Sequence, residues 1–286
     1  MSTLIQTIVQ SEFRFPEGET LGSVLPHLLD NLGSANPQAR TDSLSIFSNW
    51  ISNNVFPDDW LSGILLEKSL EGMHHKLGSA EDDSVFVRSY FALLLLNLLH
   101  HNLEHTIFKR VSLQQIHMAV TETFLGERDY RAVVPGNGWA YSVPHVCDNY
   151  WKLIQTEGLE AKLHEATLKA IGTRLQTTGT HIFEFLEDER LAYVALATLK
   201  QGLITTNFFE TWLTQLTKLP NSDNSYLAIV ELPKAQHVTY CNTRQFLRSF
   251  YLQLNFRQNP PATSDTFCSI LEKGLKRLDP GFYSSF

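Results

Sequence analysis

The chain has 286 residues, with 23 Lys and Arg against 30 Asp and Glu, a formal charge of −7, and 43% hydrophobic residues. This is a globular balance, and its acidic sign speaks against a nucleic-acid partner, because phosphate contacts need clustered Lys and Arg. Three widely spaced cysteines make neither a disulfide framework nor a CxxC metal pair, and the acidic, non-basic start through Glu12 does not read as a secretory leader, so a cytoplasmic protein is expected.

Helical periodicity punctuated by caps runs along the whole chain. Asn36-Pro37 reads as an N-cap followed by proline at the first helical position, where its missing N–H costs nothing. Leu44, Phe47, Trp50 and Ile51 then recur at spacings of three and four, the mark of one buried face. Pro57-Asp58-Asp59 opens a second helix expected to bury Trp60, Ile64, Leu65, Leu70 and Met73, with Gly78 as its stop. Asp82 or Asp83 caps a third. Its run from Val85 to Leu99 is apolar nearly all round but carries Arg88 and Asn97 and falls short of the about 20 residues of a membrane span. It reads as a central helix contacted from several sides. Ser112 with Gln115 looks like a capping box. Further helices are expected over Leu159–Leu175, Glu189–Leu203 and, capped by Asn207 with Glu210, just beyond, and then over Tyr240–Phe256 and Thr266–Leu278. The β-prone run from Tyr226 to Pro233 has no partner strand and is read as a helix turn or packed loop.

Helix pairs begin near residues 22, 57, 112, 159 and 206, at intervals of about 35 to 55 that bracket the about 40–47 of HEAT-like repeats. Each pair has one apolar face and must stack on its neighbours to bury it. The expected fold is all-α: an α-solenoid of HEAT/armadillo-like helical hairpins in one domain over 1–286, with residues 1–20 as a terminal cap. A closed α/α barrel is the alternative, since helix pairs look alike in sequence when a ring closes.

One segment, Arg128 to Asp148, departs from helix-building needs. Pro135-Gly136-Asn137-Gly138 is a strong breaker, followed at once by Trp139 and Tyr141. Ser142 can N-cap the next helix, leaving Pro144 tolerated in its first turn. His145 and Asp148 then share a helix face, where Asp148 can orient the imidazole or the two can hold a divalent cation. Alternatively the glycines merely make a turn, Trp139 plugs a gap, and His145 and Asp148 satisfy buried backbone groups.

The pattern Gly138-Trp139-Ala140, His145 and Asp148 resembles an uncharacterised bacterial family, a domain of unknown function that is all-helical and HEAT-like. Glu187-Asp188-Glu189-Arg190-Leu191 and Asn242 with Phe246-Leu247-Arg248 resemble it too, so the likeness covers roughly residues 85 to 255. Where this chain has Tyr141, that family commonly has a histidine, so a two-histidine metal pair is missing here. The resemblance implies the fold and supplies no reaction.

Glu184, Glu187 and Asp188 lie near a helix start, where anions are favoured. Asp148, Arg190 and Arg248 are spaced by about one repeat and somewhat more than one, so in a solenoid His145, Asp148, Glu187, Arg190, Asn242 and Arg248 would line one polar concave groove. Trp139 and Tyr141 would form its aromatic wall, and Arg131, Arg190 and Arg248 would meet carboxylate or phosphate groups. Among the eleven histidines, His101 and His105 are four apart, but zinc needs three protein ligands and only two can be named. No metal and no cofactor is expected. The leading reading is a helical-repeat protein binding a small molecule or protein partner, with no membrane partner. The alternatives are a hydrolase with His145 as general base, Asp148 orienting it and Glu187 assisting, or a purely structural scaffold.

Overall fold

Side-chain caps mark four of the helix starts, where Thr3, Thr20, Asn36 and Thr205 accept backbone N–H groups. The computed structural model describes residues 3–218, 232–256 and 263–283. Among these the chain is all-helical, apart from one two-stranded hairpin. It divides into two compact units, Met1–Gly158 and Leu159–Phe286.

The first unit opens with α1 (Leu4–Gln10), α2 (Leu21–Leu32) and α3 (Pro37–Ser52). Asn36 caps α3 as expected, its Oδ1 accepting from the N–H groups of Gln38 and Ala39 at 2.9 and 3.2 Å. The buried face of α3 is Ile46, Phe47, Trp50 and Ile51, with Leu44 only half-buried. Trp50 Nε1 donates to the Phe13 carbonyl at 2.7 Å, tying down the N-terminal segment.

The helix opened by Pro57 is not a plain α-helix. Trp60–Leu65 is a π-helical stretch that runs into α4 (Leu66–Met73). Its wider turn shifts the register, so Ile64, expected in the core, is 39% exposed while Leu61 and Leu65 are buried. The helix also stops at Met73, before Gly78. At Gly72 there is no room for a side chain: a Cβ there would lie 2.1 Å from the Phe91 ring.

α5 (Ser84–His105) is the hub of this unit and contacts α2, α3, α4 and α7. Val85, Phe86, Leu94, Leu95, Leu98 and Leu99 are wholly buried on it, as an apolar helix contacted from several sides requires. Asp83 holds the N-cap position without a side-chain cap bond, and Asp82, one residue earlier, accepts from the Ser84 N–H at 2.9 Å. Among the described residues no helix is long and apolar enough to cross a membrane. α6 (Arg110–Gly126) starts earlier than predicted, so Ser112 lies inside its first turn and the expected capping box is not the helix start. β1 (Val133–Val134) and β2 (Gly138–Trp139) pair antiparallel, and α7 (Ser142–Ile154) closes the unit.

The second unit holds α8 (Ala161–Gln176), α9 (Glu187–Lys200), α10 (Thr206–Leu216), α11 (Lys234–Phe256), α12 (Ser264–Leu278) and the short α13 (Pro280–Tyr283). The cap of α10 is Thr205, which accepts from the Phe208 N–H at 3.2 Å, rather than Asn207. α11 packs against α8, α9 and α12. Its Phe246 and Phe250 meet Trp212 and Phe209 of α10, and Phe209 lies edge-on to Phe267 of α12 at 4.9 Å. The packed turn expected over Tyr226 to Pro233 falls, through Glu231, outside the described residues.

Candidate functional site

The segment joining α6 to α7 is built around a buried carboxylate. Glu127 has no exposed side-chain surface and accepts from Arg88 Nε and Nη2 at 2.7 and 2.8 Å. It also accepts from the backbone N–H groups of Arg128 and Asp129, both at 2.9 Å. The same carboxylate takes the Ser142 hydroxyl at 2.7 Å. Ser142 is therefore spent on Glu127 and does not cap α7. Tyr141 occupies the cap position, in left-handed backbone at φ 53° and with no side-chain cap bond. Next along the chain, Asp129 grips Arg131 through Nε and Nη2, the shorter contact being 2.6 Å, and Arg131 Nη2 also donates to the Asp82 carbonyl at 2.8 Å. Arg131, expected to meet a ligand anion, thus already faces a carboxylate of its own loop.

The breaker Pro135–Gly138 turns the hairpin, with Gly136 and Gly138 at φ 80° and 79°, a region open mainly to glycine. Pairing continues past the two strands: the Ala140 and Tyr141 N–H groups donate to the Ala132 and Arg131 carbonyls at 2.9 and 3.1 Å. Behind the turn stands Arg40 of α3, wholly buried. Its guanidinium donates to the Asn137 carbonyl and, at 2.7 Å, to the Ser34 carbonyl, and lies 3.9 Å over the Phe86 ring.

This scaffold brings Trp139, Tyr141 and His145 into a step of rings. Trp139 and Tyr141 meet at 5.6 Å and Tyr141 and His145 at 5.5 Å, both edge to face. Trp139 is 56% exposed at the outer end. At the inner end His145 Nδ1 lies 2.8 Å from Ser89 Oγ, and Ser89, with no exposure, also contacts the Ala140 carbonyl. A hydroxyl has one hydrogen. With that hydrogen on the carbonyl, the hydroxyl oxygen is left to accept from the imidazole Nδ1–H. Asp148, one turn further along α7, is buried.

The remaining expected residues lie in the second unit, where the loop before α9 repeats the same device. Glu187 is buried and accepts from the N–H groups of Glu184 and Phe185 at 3.1 and 2.7 Å, with His181 Nε2 at 2.9 Å. Burial alone would raise its carboxyl, but the His181 contact and the backbone donors outweigh that and hold it below the usual glutamate range. Asn242, wholly buried in α11, accepts from the Phe183 N–H at 3.0 Å and donates to Thr178 Oγ1 and the His181 carbonyl at 3.1 and 2.9 Å. Leu186, at φ 66°, leaves its side chain exposed. Arg190 lies half-buried on α9. Arg248 sits elsewhere on α11, its Nε donating to the Tyr283 hydroxyl.

His101 and His105 stack at 4.2 Å, and burial pushes the His101 imidazole below its ordinary value. Among the described residues, no group of three or more His, Cys, Asp or Glu is placed to hold a metal.

Ser89, Arg88, Glu127 and Arg40 were missed by sequence reasoning. Arg88 and Ser89 are consecutive polar residues inside an otherwise apolar helix, a signal that both have buried partners. Glu127 and Arg40 carry no such local sign, because Arg88 and the Asn137 carbonyl, which mark them out, lie far along the chain.

A family model described as a protein of unknown function (DUF2785) matches residues 73–252. No curated protein and no solved structure matches the chain.

Proposed function

The chain belongs to the DUF2785 family of proteins of unknown function, and from that premise we propose that it is a binding protein whose recognition surface is the Trp139–Tyr141–His145 step. The observation that carries this reading is the exposed Trp139 ring, joined edge to face through Tyr141 to an imidazole whose orientation is fixed from behind by Ser89. An aromatic ring fixed by its neighbours offers contact area at little entropic cost. The imidazole adds direction, and Arg131 adds a partly exposed guanidinium edge. The matching ligand is a small molecule or protein segment with a flat apolar face and a hydrogen-bonding group beside it. Asp148, one turn along α7 from His145, belongs to the wider form of this proposal. So do HEAT-like stacking of the helical hairpins within each unit and a cytoplasmic setting in bacteria.

The test is a thermal-shift and tryptophan-fluorescence screen against metabolite and peptide panels. A ligand at 100 times its Kd adds about 2.7 kcal/mol of stability. Trp139→Ala removes a largely exposed side chain, so its stability is expected to stay within about 0.5 kcal/mol of the parent while the ligand response disappears. A fall in Tm with no change in any ligand response would support the purely structural reading instead.

The hydrolase alternative draws on one observation, the 2.8 Å contact between Ser89 Oγ and His145 Nδ1. Ser89 is fully buried and its hydroxyl faces the Ala140 carbonyl, so it serves better as a bracket for the ring than as a nucleophile. In that alternative His145 acts as general base and Asp148 orients it. Turnover of an ester, amide, phosphate or glycoside that is abolished by His145→Ala would favour it.

A further inference from the structure

A second cleft, in the Leu159–Phe286 unit, is independent of the Trp139 step. It lies between α11 and α12 and has a volume of about 410 Å³, lined by residues of both helices and by Tyr283 of α13. That volume falls within the range of small-molecule sites, roughly 300–1,000 Å³. Its apolar surface comes from Leu252 and Leu275 and from the faces of Tyr251 and Tyr283. Leu252 is 47% exposed. Helical spacing explains the lining: Arg248, Tyr251 and Leu252 share one face of α11, and Glu272, Leu275 and Lys276 share one face of α12.

Two cations flank this surface, Arg248 on one helix and Lys276 on the other. Among the described residues neither makes an ion pair. Arg248 is instead held by Tyr283, whose hydroxyl accepts from Nε and whose ring lies 5.6 Å from the guanidinium carbon. Glu272, the acid among the described lining residues, accepts the Tyr251 hydroxyl at 2.9 Å. Tyr283 is itself positioned through Asp279, which ends α12 and takes the Tyr240 hydroxyl and Arg244 Nε, each at 3.0 Å. The cleft therefore combines an apolar floor, a guanidinium pre-oriented by a tyrosine, and a facing ammonium.

We propose that the α11–α12 cleft binds a small amphiphilic carboxylate, its apolar tail against Leu252 and Leu275 and its carboxylate between Arg248 and Lys276. Apolar contact supplies the area, and charge-assisted hydrogen bonds to the head group set the choice of ligand. The sign of the charges selects an anion over a cation with the same tail.

The experiment is calorimetric titration of the full chain with sodium octanoate below its micellar range, beside octylamine under the same conditions. Saturable one-to-one binding of octanoate, with octylamine at least about tenfold weaker, is expected from the loss of charge-assisted contacts. Arg248→Met and Lys276→Met, both at the surface, should each weaken octanoate about tenfold, and Leu252→Glu should abolish it. The absence of saturable octanoate binding overturns the proposal. So does equal binding of octylamine by the parent chain, a comparison that needs no variant to fold. Octanoate affinity unchanged in both methionine variants, with circular dichroism unaltered, overturns it too.

Discussion

The loops before α7 and before α9 solve one problem in two ways. Each crosses between helices without regular structure of its own beyond a short hairpin, and each wraps its backbone N–H groups around a buried carboxylate, Glu127 in one and Glu187 in the other. The partners differ. Glu127 is matched by the guanidinium of Arg88, a group type that is always charged. Glu187 is matched by His181, which is charged only when protonated. The α6–α7 loop carries the exposed aromatic step on a permanently charged bracket, whereas the loop before α9 rests on a titratable one.

The largest effect expected from breaking this comparison is at Arg88. Arg88→Met takes the guanidinium from the buried Glu127 carboxylate, and removing one partner of such a pair costs about 3–5 kcal/mol. Chemical denaturation should show that loss, together with a changed near-ultraviolet signal from Trp139 and Tyr141 as their loop loosens. In the second loop the equivalent cut is Asn242→Ala, which strands the Phe183 N–H in the interior. Leaving a buried donor unsatisfied costs about 1–3 kcal/mol, so a smaller fall in stability is expected, without the Trp139 signature. The smallest effect is that of pH. A carboxyl held below its ordinary value stabilises the fold only while ionised. The Glu187 contribution is therefore complete above the unfolded glutamate value of about 4.3 and is lost as the pH falls through the depressed folded one. Hydrogen exchange at the Phe185 N–H, measured at falling pH and corrected for intrinsic rates, should lose protection across that window. Protection unchanged to the acid unfolding point would show that Glu187 does not set the stability of this loop.

What could be read from the amino-acid order follows the range of the interaction. Asn36-Pro37 and the acids opening α9 were legible because a cap and its N–H groups lie within one turn. The central helix from Ser84 was legible from its apolar run alone. Ile64 was misplaced because counting by 3.6 assumes an α-helix, and the π stretch from Trp60 to Leu65 turns more widely. Ser142 looked like a cap on local grounds, but Glu127, distant along the chain, takes its hydroxyl. At the candidate site, Trp139, Tyr141 and His145 were visible as an unusual cluster. The bracket behind His145 was not, since Ser89 sits on α5, a helix that reads as core.

Arg40 has one practical consequence for anyone trimming this chain. The family match begins at residue 73, yet the guanidinium backing the Asn137 turn comes from α3, well upstream of that point. A fragment cut to the matched borders would keep every ring of the aromatic step and lose the strut beneath it, so the minimal recognition unit must reach back at least to Asn36.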